Sequence, residues 1–155
     1  DLSEYFGQLR ADAGRNRDQA EAARAYDLAS IAYNQDDRDG AVRHLREAFR
    51  EPSLRFRAAS MLARIAKEHG RASEAVEWLE RAAEVPPPSP QAGHALLYEL
   101  GDMLESLGEE ARALAVFLEL SFSVPDFADV GARVGRLKAC QPGVQGPAQT
   151  TPESA

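Results

Sequence analysis

Three stretches of this chain carry the same marks in the same order. Leu28-Ala29, Leu62-Ala63 and Leu100-Gly101 each pair a large residue with a small one. Twelve residues beyond each small residue comes another small one, at Ala41, Ala75 and Ala113. Four residues on sit Leu45, Leu79 and Phe117, and three further on Ala48, Ala82 and Leu120. A helix-stopping proline closes each unit, at Pro52, at Pro86-Pro87 and at Pro125. The first two units are offset by 34 residues and the next two by 38, the extra four falling in the proline-rich stretch after Val85. A period of this size is the mark of stacked supersecondary units, each unable to bury its apolar face alone.

The local pattern says what the units are made of. Apolar residues recur with a period near 3.6 through nearly every long segment, and no segment sustains two-residue alternation. Alanine accounts for 28 of 155 residues, which favours helix further. Eight helices are predicted. The first carries Leu2, Tyr5, Phe6 and Leu9 and is interrupted at Gly14. The second runs from Asp18, as N-cap, to Gln35 and breaks at Asp36-Asp37. Others cover 39–50, 54–69 (ending at Gly70), 73–84, 90–107 (capped by Ser89, with Pro90 at the first position), 109–123 and 126–139. Small residues at matched positions let two antiparallel helices approach within a hairpin, and the large residue fills the gap to the next one. The predicted organisation is an N-terminal helix over 1–16, a three-unit helical domain over 17–139, and a disordered tail over 140–155 with almost nothing apolar to bury.

The unit resembles the tetratricopeptide repeat. The resemblance rests on Leu28-Ala29, Ala41, Leu45 and Ala48 and their counterparts in the next two units, and it covers roughly residues 22–125. It implies an all-α, right-handed solenoid of stacked antiparallel helix hairpins, with residues 126–139 as the extra helix that closes such arrays. The family's first aromatic mark is Ala25, Ala59 and Leu97 here, and its turn glycine, present at Gly70 and Gly108, is Asp36 in the first unit.

The resemblance also implies where function sits. In this family the first helix of each hairpin lines a concave groove that receives an extended peptide or a helix. The corresponding residues are Tyr26, Ser30 and Tyr33, then Arg57, Ser60, Arg64 and Lys67, then Tyr98, Asp102 and Glu105, joined by Asp27, Asn34, Met61 and Glu99. The groove would run aromatic, basic, acidic, and a bound peptide could set a carboxylate on the arginines and a cation on the acids. The competing reading is that these charges pair with one another in water, where exposed pairs are worth ~0–1 kcal/mol each. Versions of the family that clamp a chaperone's C-terminal carboxylate need Lys, Asn and Arg where this chain has Tyr26, Ser30, Ala95 and Glu99, so that subclass is rejected.

Other features bear on what the chain does not do. Residues 1–77 are nearly neutral and residues 78–155 carry the excess of acid within a net charge of -7, which opposes a generic nucleic-acid role. The single Cys140 cannot form an internal disulfide, and His44, His69 and His94 lack metal-ligand spacing. No catalytic residue, metal or cofactor is assigned, and the chain is read as a non-enzyme. No apolar run is long enough to span a membrane, and the chain starts Asp-Leu-Ser-Glu without a visible leader, so a soluble, cytoplasmic protein or an excised piece of one is expected. Arginine outnumbers lysine 16 to 2, an association with GC-rich bacterial genomes. Trp78 is read as convex-side packing in preference to a docking point. Phe127, Val130, Val134 and Leu137 are read as a lid on the last hairpin. Leu2, Tyr5, Phe6 and Leu9 either cover the first hairpin or dock elsewhere. The expected function is a protein-binding adaptor with a protein or peptide partner. The alternative is a self-association or structural module, which allows a homo-oligomer.

Overall fold

The computed structural model describes residues 1–141, and among them there is no strand. Seven α-helices follow one another: α1 Leu2–Asn34, α2 Arg38–Ala48, α3 Arg55–Glu68, α4 Ala72–Ala83, α5 Pro90–Ser106, α6 Glu110–Ser123 and α7 Val130–Cys140. A 3-10 turn at Pro52–Leu54 leads into α3. Short turns make α1/α2, α3/α4 and α5/α6 antiparallel hairpins. Each hairpin packs on the next through its second helix, α2 on α3 and α4 on α5, and α7 closes the row against α6. The architecture is an all-α solenoid of neighbouring helix pairs.

The matched marks occupy equivalent places. Ala41, Ala75 and Ala113 are all fully buried, and each donates its N–H to the carbonyl of the residue capping its helix, at 3.0, 3.0 and 2.9 Å. Leu45, Leu79 and Phe117 are buried with them, as are Ala48, Ala82 and Leu120. The hairpin turns also repeat. Asp36, Gly70 and Gly108 all take left-handed φ, at 61°, 70° and 76°. The next residue's N–H then reaches back to the carbonyls of Ala32, Ala66 and Leu104, at 2.9 Å in all three. This closure gives those carbonyls a donor that the helix itself no longer supplies. Asp36 makes the turn at a steric cost glycine avoids.

The third unit departs in a compensated way. Its small residue is Gly101 and its large one Phe117. A Cβ added at Gly101 would lie 2.7 Å from the Phe117 ring. The extra volume of phenylalanine over leucine therefore occupies the space that the side chains of Ala29 and Ala63 take in the other units.

Expectations at both ends of the chain are corrected. The break at Gly14 is absent: residues 2–34 form a single helix, so the separate helix over 1–16 and the cap at Asp18 do not exist. A lone glycine costs about 1 kcal/mol in a helix but stops it only where a left-handed turn follows, and Arg15-Asn16-Arg17 continues as helix. The helix count is accordingly seven. The first apolar stripe consequently does not fold back over the first hairpin: Leu2, Tyr5, Phe6 and Leu9 are exposed. The last helix begins at Val130, four residues after its expected start, because Ala128 takes φ 45°. Residues 142–155 of the expected tail lie outside the described residues; Cys140 ends α7.

Val130 and Leu137 are buried, with Phe127 and Val134 packed beside them, so the last stripe is a lid on the stack. Trp78 is also buried, edge-on to Phe49 at 5.5 Å with the Arg81 guanidinium 4.5 Å from its ring, which makes it packing between the first two hairpins.

Candidate functional site

The repeat register aligns the first helices of the hairpins, α1, α3 and α5. Tyr26, Ser60 and Tyr98 hold one position; Ser30, Arg64 and Asp102 the next; Tyr33, Lys67 and Glu105 the third. Each column steps from neutral through basic to acidic, apart from the first, which is neutral throughout. Tyr26, Ser30, Tyr33, Ser60, Tyr98, Asp102 and Glu105 are half-buried, while Arg57, Arg64 and Lys67 are exposed. Ser30 and Ser60 spend their hydroxyls locally, donating to the carbonyls of Tyr26 at 3.1 Å and Phe56 at 2.7 Å.

The two outer tyrosines are tied down by the same kind of cluster. Tyr33 donates its hydroxyl to Glu68 of α3. Arg38, at the start of α2, lies 4.0 Å over the Tyr33 ring, donates to the Tyr33 carbonyl at 2.6 Å and to Glu68 at 3.1 Å. Tyr98 donates to Asp129, which precedes α7, at 2.6 Å. Arg133 lies 5.2 Å from the Tyr98 ring and 5.4 Å from that of Phe117. In both clusters the phenol holds its carboxylate below the usual carboxylate range, and the arginine adds to the effect. The carboxylate in turn raises each phenol above its ordinary value, because the bond favours the protonated oxygen.

Arg133 does more than Arg38. Its side chain is only 17% exposed and donates to Asp102 at 2.8 Å, to Glu105 at 3.1 Å and to Asp129 at 3.1 Å. Arg136 also reaches Glu105. Three carboxylates around one guanidinium hold it firmly protonated, the Asp102 hydrogen bond contributing most. Asp102 and Glu105 are thus held by the closing helix.

Among the described residues Arg57, Arg64 and Lys67 form no salt bridge, although the acids of α5 belong to the next unit along. Positions 57, 60, 64 and 67 fall within an arc of about 80° on α3 at 100° per residue, so they form one face. The competing reading, in which Arg57, Arg64 and Lys67 pair with the acids of α5, is not seen among the described residues: Asp102 and Glu105 pair with α7 instead. Sequence reasoning missed Arg38, Glu68, Asp129, Arg133 and Arg136. The available signal was the spacing of Arg133 and Arg136 at i, i+3 on a helix already read as a lid.

Among the described residues no group of three or more His, Cys, Asp and Glu side chains is placed to hold a metal ion. No described helix is long and apolar enough to cross a membrane.

No protein-family model matches the chain. No curated protein matches it. Among solved structures, the crystal structure of MamA protein is similar at 17% sequence identity and a TM-score of 0.41, over 77% of this chain and 81% of that one.

Proposed function

We propose that the protein is a non-catalytic adaptor of tetratricopeptide type whose groove receives an acidic peptide segment. Arg57, Arg64 and Lys67 receive the carboxylates, and Tyr26 offers a half-buried aromatic edge. The observation that supports this is the uneven use of charge. Asp102 and Glu105 are bound by the chain's own α7, whereas Arg57, Arg64 and Lys67 form no salt bridge among the described residues; Asp27 and Glu99 form none either. The groove, which the sequence would run aromatic, basic, acidic, is on this reading narrowed to its basic part. Tyr98, Asp102 and Glu105 become part of the scaffold, and Tyr33 keeps only its ring to offer.

Electrostatic recognition of this kind weakens with salt and depends on charge sign. The test is titration of fluorescent peptides, one set rich in Asp and Glu and a matched set rich in Lys and Arg. The acidic set is expected to bind, and Arg57→Glu with Arg64→Glu is expected to weaken binding by at least tenfold, about 1.4 kcal/mol. The helical circular dichroism of the variant should be unchanged, since both side chains are exposed. Equal binding of the two peptide sets, or unchanged affinity in the double variant, would remove the assignment.

A further inference from the structure

The first buried residue of α1 is Ala22, so some twenty residues of helix, about 30 Å, stand clear of the hairpins. An unpacked helix of that length is marginal in water, the more so with Gly7 and Gly14 in it. The stretch nevertheless carries a seam. Leu2, Phe6, Leu9, Ala13, Asn16 and Ala20 alternate spacings of four and three residues, the heptad rhythm of two helices wound together. Leu2 is 73% exposed, Phe6 54% and Leu9 45%, with nothing among the described residues to cover them.

The flanks of that seam specify the occupant. One flank presents Arg10, Arg17 and Arg24; the other presents Tyr5, Asp12 and Gln19. In a parallel pair of copies each flank meets the opposite flank of the other helix. Asp12 then faces Arg17 of the second copy, Tyr5 faces Arg10 and Gln19 faces Arg24. In an antiparallel pair the arginine flank would face itself. Within one chain Asp12 contacts Arg15, an exposed pair that a second copy would share or replace at little cost. The direction of the seam is also compatible. At 100° per residue it lies about 160° around the helix from the face that Ala22, Ala25, Ala29 and Ala32 bury against α2, so both sets of hairpins sit outside the pair.

We propose that the N-terminal half of α1 joins two copies of this chain as a short parallel coiled coil, leaving both grooves open. Asn16 stands at a d position, a single polar break in an otherwise apolar seam. This is independent of what the groove binds, and its failure would leave that reading intact.

Sedimentation equilibrium of the full chain from about 1 µM to about 1 mM, a span that brackets weak association, is expected to show a mass that doubles with concentration. Phe6→Asp with Leu9→Asp should stay monomeric with unchanged helical hairpins, because neither residue is buried in the single chain. Arg17→Glu should weaken the dimer several-fold, and adding Asp12→Arg should restore it. Leu2→Cys, in a Cys140→Ser background, should crosslink to its own counterpart under mild oxidation. A monomer throughout, a dimer that survives the double aspartate, a dimer tightened by Arg17→Glu, or failure of Leu2→Cys to crosslink would each overturn the proposal.

Discussion

The two ends of the stack are built from the same marks and finished differently. Leu28 and Leu100 hold the same register position, yet Leu28 is 42% exposed and Leu100 only 5%. In the third hairpin that face meets the preceding pair through α4; in the first, no other described hairpin packs on it. The far end is sealed as well, by α7 and by Arg133 across Asp102, Glu105 and Asp129. The near end instead sends α1 outward. A repeat thus fixes which residues can be core, and the neighbour fixes which of them are.

The largest expected effect puts that comparison at risk directly. Leu100→Ala removes a side chain enclosed on all sides and should cost about 2–5 kcal/mol. Leu28→Ala removes the same atoms from a half-open edge and should cost under ~1 kcal/mol. Chemical denaturation of both variants gives the two numbers. Similar losses would mean that something covers the first hairpin after all, and the second copy proposed above covers a different stretch of α1.

The next effect concerns the packing swap inside the third hairpin. Gly101→Ala places a methyl group 2.7 Å from the Phe117 ring, which cannot retreat because it is wholly buried. The cost should be about 1–3 kcal/mol. Phe117→Leu recreates the combination used by the first two units, so the double variant should be more stable than Gly101→Ala alone. Strict additivity of the two losses would show that the residues are not coupled.

The legibility of the molecule follows the same division. The hairpins were readable because each rests on short-range spacing confirmed by two other copies: Ala41, Ala75 and Ala113 could not all recur by accident in step with a stop signal. The merging of the first two expected helices was not readable, because Gly14 looks the same in sequence whether or not a turn follows it. The equivalence of Tyr26, Ser60 and Tyr98 was readable, since register alone selects them. The pairing of the charges was not. Which carboxylate Arg133 reaches depends on how α7 lies across α5, a long-range fact with no short-range trace. Charges of opposite sign in adjacent units suggested pairing between neighbours, and the closing helix took the acids instead.

The smallest expected effect compares the two tyrosine clusters through pH. Glu68 and Asp129 are both held below the usual carboxylate range, first by a phenol hydroxyl and then by an arginine. A carboxyl depressed in the folded state binds fewer protons there than in the unfolded chain. Its contribution is therefore complete above the unfolded carboxylate range, about pH 4–4.5, and is lost as pH falls through the lower folded value. Denaturation midpoints should fall from about pH 5 downward on this account. Tyr33→Phe removes the main cause at Glu68 and leaves Arg38; Tyr98→Phe removes it at Asp129 and leaves Arg133. Each variant should flatten the acid slope. Tyr98→Phe should flatten it less completely, since Arg133 is already shared with Asp102 and Glu105 and still grips Asp129 at 3.1 Å through its Nε. The phenols give the mirror test. Their raised values stabilise the fold below about pH 10, and that support is lost as pH rises through the folded value, so both variants should also lose the alkaline slope. A variant that shifted the midpoint equally at pH 3, 7 and 11 would show that its tyrosine contributes packing and not the hydrogen bond.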